Sequence, residues 1–172
     1  MVSSAMVIRE EQLGDHAAVA ALHSVAFGRD YEAVLVARLR HEHVVHVSLV
    51  ALEGEEIVGH ILFSALSVQV DGRHISAAAL APLSIAPAFQ RQGYGSSLVR
   101  AGIEALRLRG CEAIIVLGHP NFYPRFGFSD RLASHLRAPF CGPAFMGLEL
   151  APGALAGREG SVTYARAFGL GP

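Results

Sequence analysis

The sequence predicts a mixed α/β fold in which about four helices pack against one sheet of about six or seven strands. Apolar runs of strand length, among them Ile57–Val70, Ile75–Ile85 and Ala113–Leu117, alternate with segments of helical periodicity. Asp71-Gly72 lies between the first two runs and favours a tight antiparallel hairpin, because such turns need positive φ. The strand–helix–strand order from Ile75 to Leu117 predicts a right-handed parallel crossover. Together these observations indicate one sheet with both kinds of strand pairing.

Length and composition favour a single domain over residues 1–172. Apolar residues make up 52% and charged residues 17% of the chain, a balance typical of folded rather than disordered chains. The longest apolar stretch, Ile75–Phe89, is interrupted by serines and prolines and is shorter than the ~20 residues that cross a bilayer. We therefore expect one globular domain and no membrane partner.

Charge and cysteine usage argue against nucleic-acid binding, lipid binding and a disulfide-rich exported protein. A net charge of −1 gives no general attraction to nucleic acid or to anionic lipid. The segment Met1–Ile8 has no basic region, so we expect no signal peptide and a cytoplasmic location. Cys111 and Cys141 are too few for a disulfide framework, and the histidines lack metal-ligand spacing, so no metal is expected.

The N-terminal half predicts a strand, two helices and a hairpin. The predicted elements are a strand Met6–Arg9, a helix Glu11–Phe27 ending at Gly28, a helix capped by Asp30 and running through Arg40, and a strand Val47–Leu52. The apolar faces predicted for the two helices are Leu13, Ala17, Ala20 or Ala21, and Ser24 for the first, and Val34, Leu35 and Leu39 for the second.

The C-terminal half predicts one long helix and late strands. The helix Arg91–Arg109 has a predicted apolar face of Leu98, Ala101, Ala105 and Leu108, and Gly110 stands where a C-terminal cap belongs. Ala113–Leu117 is an apolar run typical of a strand covered on both faces. Two later strands are predicted at Phe145–Leu150 and Ser161–Arg166.

The segment Leu83–Gly95 carries the strongest chemical signal. A buried strand is followed by Pro87, and Gln90-Arg91-Gln92-Gly93-Tyr94-Gly95 then opens a helix. Glycines let a ligand approach the backbone closely, and the first turn of a helix offers unpaired N–H groups and a positive dipole end. These features suit a pyrophosphate, with Arg91 adding a full charge. The alternative is a glycine-rich turn that serves packing alone.

Two separated motifs resemble one known family. The sequence resembles the GNAT superfamily of acyl-CoA N-acyltransferases, and within it the YhbS-like branch. The first motif comprises Pro82–Pro87 and Gln90–Gly95, and the second is His119–Phe128. Tyr123, together with Gly127 and Phe128, matches the family's Tyr-x-x-x-Gly-Phe segment. The resemblance implies a mostly antiparallel mixed sheet, splayed at its middle, and transfer of an acetyl group from acetyl-CoA to an amine.

The resemblance also implies which residues contact acetyl-CoA. Strand-end backbone would pair with pantetheine, and N–H groups at the helix start would hold the pyrophosphate. The residues so assigned are Leu83, Ser84, Ile85, Gln90, Arg91, Gln92, Gly93, Tyr94, Gly95, Ser96, Ser97 and Asn121.

The resemblance assigns Tyr123 to protonating the departing thiolate, and packing beside Phe122 and Phe126 is its alternative role. The general base stays open. Many relatives place a glutamate on the strand that precedes the pyrophosphate-binding helix start, yet in this chain that strand, Ala77–Ile85, contains no acidic residue. His119 is the first candidate base, Glu149 the second, and a water chain the third. His60 is interpreted as a hydrogen-bonded sheet residue.

The expected reaction is direct attack by a primary amine, of a small molecule or a protein, in a ternary complex with acetyl-CoA. A CoA-binding regulatory module without catalysis and an interaction domain without cofactor are the alternatives. The sequence names no acceptor, and it leaves both a monomer and a homodimer open.

Overall fold

The computed structural model describes residues 5–170, so the first residues of the Met1–Ile8 segment lie outside the described part of the chain. The chain divides into two compact units, one formed by residues 5–63 and 81–105, the other by residues 64–80 and 106–170. None of the helices within 5–170 has the length and apolar composition needed to cross a membrane.

Eight strands and four α-helices are present in residues 5–170. The strands are β1 Val7–Glu10, β2 Val45–Glu53, β3 Glu56–Val70, β4 Arg73–Ile85, β5 Ala113–Leu117, β6 Leu136–Arg137, β7 Phe145–Glu149 and β8 Gly160–Tyr164. The helices are α1 His16–Phe27, α2 Tyr31–His41, α3 Tyr94–Leu108 and α4 Asp130–Ala133. Four 3₁₀ turns occur at Leu13–Asp15, Pro87–Phe89, Tyr123–Phe126 and Arg166–Phe168.

In the first unit the strand order is β1-β2-β3-β4. β1 runs antiparallel to β2, with Val7 opposite Leu52. Successive residues of a strand point to opposite faces of a sheet, and β3 shows both faces. A Cβ on Gly59 would lie 3.0 Å from Leu98 of α3, whereas the next residue, His60, is hydrogen-bonded to His23 of α1. The helices α1 and α3 therefore cover opposite faces.

In the second unit β4 pairs with β5 in parallel, from Ala77 opposite Ala113 to Leu80 opposite Val116. β7 joins β5 antiparallel, and the end of β3 pairs with β8. Ala113–Val116 is buried throughout, as expected for a strand covered on both faces. The Asp71-Gly72 turn has φ of 48° and 78°, and the Asp71 carboxylate accepts hydrogen bonds from the N–H groups of Arg158 and Glu159.

The predicted fold class, parallel crossover, hairpin and late strands are confirmed. The sheet has more strands than predicted because β6 has only two residues and carries no readable pattern. Gly28 and Gly110 end their helices in the left-handed conformation, with φ of 67° and 77°, as predicted.

The face predicted for α1 was wrong. Leu13 lies in a 3₁₀ turn and is 84% exposed, and Ala17 and Ala21 are exposed. The buried residues are Val19, Leu22 and His23. Alanines surround the whole helix, so their spacing carried no directional signal.

Four further details of α2 and α3 were also wrong. The Asp30 carboxylate accepts a hydrogen bond from the Ser24 hydroxyl at 2.8 Å and makes no side-chain cap, and Val34 is exposed while Val36 is buried. α3 begins at Tyr94, not Arg91, because Arg91 and Gly93 take left-handed conformations. Its buried residues include Leu98, Val99, Ile103 and Leu106, whereas Leu108 is 79% exposed.

Candidate active site

The loop between β4 and α3 ends in two left-handed residues. Arg91 has φ of 61° and Gly93 has φ of 90°. A non-glycine residue at positive φ is uncommon and costs free energy, and such residues occur in tight turns and at functional sites. Apart from Gly93 and its two neighbours in the chain, no atom of residues 5–170 lies within 4 Å of the position that a Cβ on Gly93 would occupy, so the backbone there borders open space.

The start of α3 presents backbone N–H groups at this loop. The N–H of Ser97 donates to the carbonyl of Gly93 at 3.0 Å, which makes it the first donor bonded inside the helix. The N–H groups before it, from Gly93 to Ser96, therefore have no partner within the helix. Ser97 was predicted to offer its N–H, but that group is already engaged, so its hydroxyl is the group left to offer.

Side chains hold the loop and the helix start in place. The Tyr94 hydroxyl donates a short hydrogen bond to the carboxylate of Glu53, and the Tyr94 ring packs edge-on against Phe89. The amide of Gln90 donates to the Ile85 carbonyl at 3.1 Å, and the amide of Gln92 donates to the Ala88 carbonyl at 2.9 Å. The glutamines thus brace the loop itself.

The end of β4 carries three predicted site residues with different surroundings. Ser84 is 4% exposed, whereas Leu83 and Ile85 are half-buried. Ile85 lies on the face of Gly59, where a Cβ would be 2.8 Å from its side chain. Ser84 faces the other way and is hydrogen-bonded to Nδ1 of His23.

In the second unit, three predicted residues lie on one short segment after β5. The N–H of Tyr123 donates to the His119 carbonyl at 3.3 Å, and the Asn121 carbonyl accepts from Arg125 at 3.4 Å. His119 and Asn121 are exposed, and Tyr123 is 7% exposed. The structure therefore groups Leu83–Ile85 with the α3 start in one unit and these three residues in the other.

Tyr123 lies in an aromatic cluster. Its ring centroid is 4.9 Å from that of Phe122 and 5.6 Å from that of Phe128. Burial raises the pKa of Tyr123 to about 12, so its phenol stays protonated at neutral pH. A Cβ on Gly118 would lie 2.3 Å from the Tyr123 ring, so glycine at 118 makes room for that ring.

Glu149, the second candidate base, has a structural partner. Its carboxylate accepts a hydrogen bond from the N–H of Leu155 at 2.9 Å, which fixes the loop after β7. This contact favours a structural role for Glu149.

Sequence reasoning missed His23. It is fully buried on α1, and its Nε2 lies 2.7 Å from Nδ1 of His60, which is also fully buried. The interpretation of His60 as a hydrogen-bonded sheet residue is confirmed. The spacing of Val19, Leu22 and His23 on one helix face could have indicated that His23 is buried, but not which residues it contacts. Among residues 5–170, no three His, Cys, Asp or Glu side chains converge as a metal site would require.

Comparison with known families decides the relationship of this chain. The acetyltransferase (GNAT) domain model matches residues 7–130. The chain belongs to the GNAT acetyltransferase family. That match spans both motifs on which the sequence resemblance rested, so the predicted family is confirmed.

Two curated relatives come from Escherichia coli strain K12, and both are named uncharacterized N-acetyltransferases. YhbS is 36% identical over 168 residues, which cover 95% of this chain and 98% of YhbS. YjhQ is 43% identical over 105 residues, 60% of this chain, and the chain spans only 58% of the length of YjhQ. The similarity to YhbS bears out the predicted branch.

Two solved structures share the fold over nearly the whole chain. Escherichia coli YhbS, solved in complex with CoA, has a TM-score of 0.86 at 34% identity and covers 95% of this chain and 92% of its own. A GNAT family acetyltransferase from Brucella melitensis, in complex with acetyl-CoA, has a TM-score of 0.78 at 32% identity and covers 96% of this chain and 99% of its own.

Proposed function

We propose that this chain is an N-acetyltransferase that binds acetyl-CoA at the start of α3 and transfers the acetyl group to a primary amine in a ternary complex. The observation that carries the proposal is the open backbone at Gly93, directly before the unpaired N–H groups of a long helix. Anions bind at such helix starts because the N–H groups and the helix dipole both favour negative charge.

The residues at this helix start fit a pyrophosphate. Gly93 leaves room where a side chain would block approach, and the N–H groups of Tyr94, Gly95 and Ser96 point out of the first turn. Arg91 is exposed beside them and supplies a full positive charge. The hydroxyls of Ser96 and Ser97, both half-buried, add further donors.

The end of β4 would hold the pantetheine arm. Gln90 already braces the Ile85 carbonyl, which keeps the strand end ordered next to the loop. Bound acetyl-CoA supplies an activated thioester carbonyl. Backbone N–H groups at Leu83 or Ile85 would stabilise the oxyanion that develops there, because preorganised donors cost no reorganisation during the reaction.

Tyr123 would hold the proton that the departing thiolate needs. Its burial keeps the phenol protonated, and its position matches the family tyrosine. Asn121 and His119 are exposed neighbours on the same segment, available to orient ligands or to accept a proton.

The acceptor is a small molecule or a protein amine, and the transferase domain is taken to be residues 1–172, in the cytoplasm, as a monomer or a homodimer. Support for a single domain comes from β3 and β4, each of which contributes residues to both units, and from the family match across both. The free thiols of Cys111 and Cys141 fit a reducing compartment.

Titration calorimetry with acetyl-CoA tests whether the helix start at Gly93–Ser96 binds the pyrophosphate. Gly93→Glu places a carboxylate against the pyrophosphate and should weaken binding by about 100-fold or more, since each ~1.4 kcal/mol lost is tenfold in affinity. Gly93→Gln matches its size and backbone strain without the charge and should lose clearly less.

Gly110→Glu is the second control, because Gly110 also has positive φ and open space but lies at the other end of α3. It should bind acetyl-CoA like the wild type. Equal acetyl-CoA affinities of the wild type and Gly93→Glu would contradict pyrophosphate binding at the start of α3. Acetyl-CoA binding without CoA release across an amine panel would instead favour the regulatory module.

A further inference from the structure

A continuous chain of hydrogen-bonded polar side chains, buried at Ser84, His23 and His60 and half-buried at Ser48, crosses the first unit on the α1 face of the sheet. Ser84 contacts Nδ1 of His23, and Nε2 of His23 lies 2.7 Å from Nδ1 of His60. Nε2 of His60 lies 2.8 Å from the Ser48 hydroxyl, which donates to the carboxylate of Glu11 at 2.6 Å. The chain begins on the predicted site strand and ends at an anion.

Glu11 fixes the direction of every hydrogen bond in this chain. Burial would raise the pKa of Glu11, but the nearby His60 imidazole, the Ser48 hydroxyl and the charge of Arg40 lower it to about 2. An ionised carboxylate only accepts hydrogen bonds, so Ser48 must donate to it and must accept from Nε2–H of His60.

The same logic assigns the remaining protons. With its proton on Nε2, His60 accepts at Nδ1 from Nε2–H of His23. His23 then accepts at Nδ1, and the only hydrogen at that contact is the one on the Ser84 hydroxyl. All donors therefore point from Ser84 towards Glu11, and Ser84 uses its only hydrogen on His23 while its oxygen keeps acceptor capacity.

Both imidazoles are neutral in this arrangement. Burial lowers the pKa of His23 to about 3, and it lowers the pKa of His60, although Glu11 opposes the shift for His60. The charged and titratable groups around the pair are Glu11 after β1, His16 on α1 and Arg40 on α2. At neutral pH each ring thus keeps one nitrogen lone pair that can accept a proton, and the low pKa means that an accepted proton is held only transiently.

The site strand needs such an acceptor. Ala77–Ile85 has no carboxylate, and attack by an amine requires loss of a proton. We propose that Ser84, His23 and His60 form the proton relay of the transferase, with Glu11 as its anionic anchor. This proposal rests on the proposed function, because it needs the acceptor amine at the end of β4.

The relay takes up one proton in the forward direction. The N–H bond of the attacking amine breaks as an O–H bond forms on Ser84, whose former proton passes to Nδ1 of His23. The Nε2 proton of His23 passes to Nδ1 of His60. The resulting positive charge resides on His60, whose Nε2 is 3.8 Å from the Glu11 carboxylate. Reverse transfer along the same path resets the chain: the Nδ1 proton of His60 returns to Nε2 of His23, the Nδ1 proton of His23 passes to Ser84, and Ser84 releases its proton to solvent at the end of β4 once the products have left.

Nitrogen NMR of the folded enzyme tests the donor directions without activity. Both His23 and His60 should be neutral Nε2–H tautomers at pH 7. Ser84→Ala should alter the Nδ1 signal of His23 more strongly than the Nδ1 signal of His60. Protonation of either ring on Nδ1 in the neutral form would overturn the relay.

Single-turnover acetyl transfer tests the function of the relay. The acceptor probes are benzylamine and a tetrapeptide with an N-terminal alanine, and hydrolysis of the thioester is measured if neither probe reacts. Ser84→Ala and His23→Gln should lower the rate by about 100-fold, within the range that general acid–base catalysis contributes. Affinity for acetyl-CoA should be unchanged. Ser84→Thr keeps the hydroxyl and should recover most of the rate.

The solvent deuterium isotope effect separates a relay from a structural role. Its dependence on deuterium fraction should be curved in the wild type, because several protons move together, and linear in Ser84→Ala. Ser64→Ala is the matched control, since Ser64 is buried on β3 and its hydroxyl has no hydrogen-bond partner in the described part of the chain. It should behave like the wild type.

The outcomes distinguish the two proposals. Failure of the wild type to bind acetyl-CoA overturns the proposed function. Binding and turnover by the wild type, with an unaltered rate and isotope effect in Ser84→Ala, overturn the relay alone. If His23→Gln does not fold, the rate and the isotope effect of Ser84→Ala are sufficient to test the relay.

Discussion

His23 in the first unit and Tyr123 in the second are both removed from water, with opposite chemical consequences. Burial lowers the pKa of His23 to about 3 and raises the pKa of Tyr123 to about 12. In both cases the low-dielectric surroundings disfavour the charged form. Because neutral imidazole can accept a proton and neutral phenol can donate one, the same physical effect keeps one group in the form of a base and the other in the form of an acid, while it makes each of them weaker.

The two regions differ in how the neutral group is held. His23 is fixed by hydrogen bonds on both ring nitrogens, whereas Tyr123 is held by aromatic packing against Phe122 and Phe128. Hydrogen bonds specify a tautomer, and packing specifies only the place of the ring. The comparison predicts that His23 is sensitive to its polar neighbours and Tyr123 to the space around it.

The largest expected effect is on the acid side of this comparison. Tyr123→Phe removes the proton donor while keeping the ring packing, so kcat should fall by roughly 100- to 1,000-fold with little change in acetyl-CoA affinity. Steady-state kinetics with calorimetry measures both. Tyr164→Phe is the matched control, because Tyr164 is packed between Phe140 and Phe168 and burial raises its pKa to about 12 as well. Wild-type turnover in Tyr123→Phe would reduce Tyr123 to a packing residue.

A smaller effect is expected on stability as pH falls. The folded pKa of His23 is depressed from the ordinary histidine value of 6.5, so the unfolded state binds more protons between pH ~6.5 and ~3 and stability decreases with acidification in that window. His23 alone should make the protein about 2 kcal/mol less stable at pH 5 than at pH 7. Glu11, with its pKa lowered to about 2, adds to the loss below pH ~4.5.

Urea unfolding of the wild type and His23→Gln at several pH values measures this dependence. The variant should show a flatter decline of unfolding free energy between pH 7 and pH 5, whatever its absolute stability. Parallel curves for the two proteins would mean that His23 is not held neutral by the fold.

The smallest effect probes the space around Tyr123. Gly118→Ala brings a Cβ into contact with that ring, and overpacking of this kind should cost about 1 kcal/mol of stability. Gly102→Ala makes a similar contact, with a Cβ 2.2 Å from the Phe63 ring. Thermal unfolding should detect both changes, whereas kcat should fall in Gly118→Ala only. A normal kcat in Gly118→Ala would show that the Tyr123 ring position is not critical.

The predictable part of the candidate site was its local part. The glycines and the helix start at Gly93–Ser96 are properties of neighbouring residues, so a motif reveals them, and the later boundary of α3 changes only which N–H groups are unpaired. Ser97 shows the limit, since its N–H is used inside the helix. His23 could not be assigned, because its importance depends on residues 37 and 61 positions away in the chain.

The sequence by itself determined the fold class, the hairpin at Asp71-Gly72, the helix ends at Gly28 and Gly110, and the family, because these depend on composition, periodicity and local backbone preference. Only the tertiary structure decided which face of α1 is buried and that Ser84, His23, His60 and Glu11 form one hydrogen-bonded chain. Alanines give a helix no preferred side, and hydrogen bonds between distant side chains exist only once the sheet and the helix have packed together.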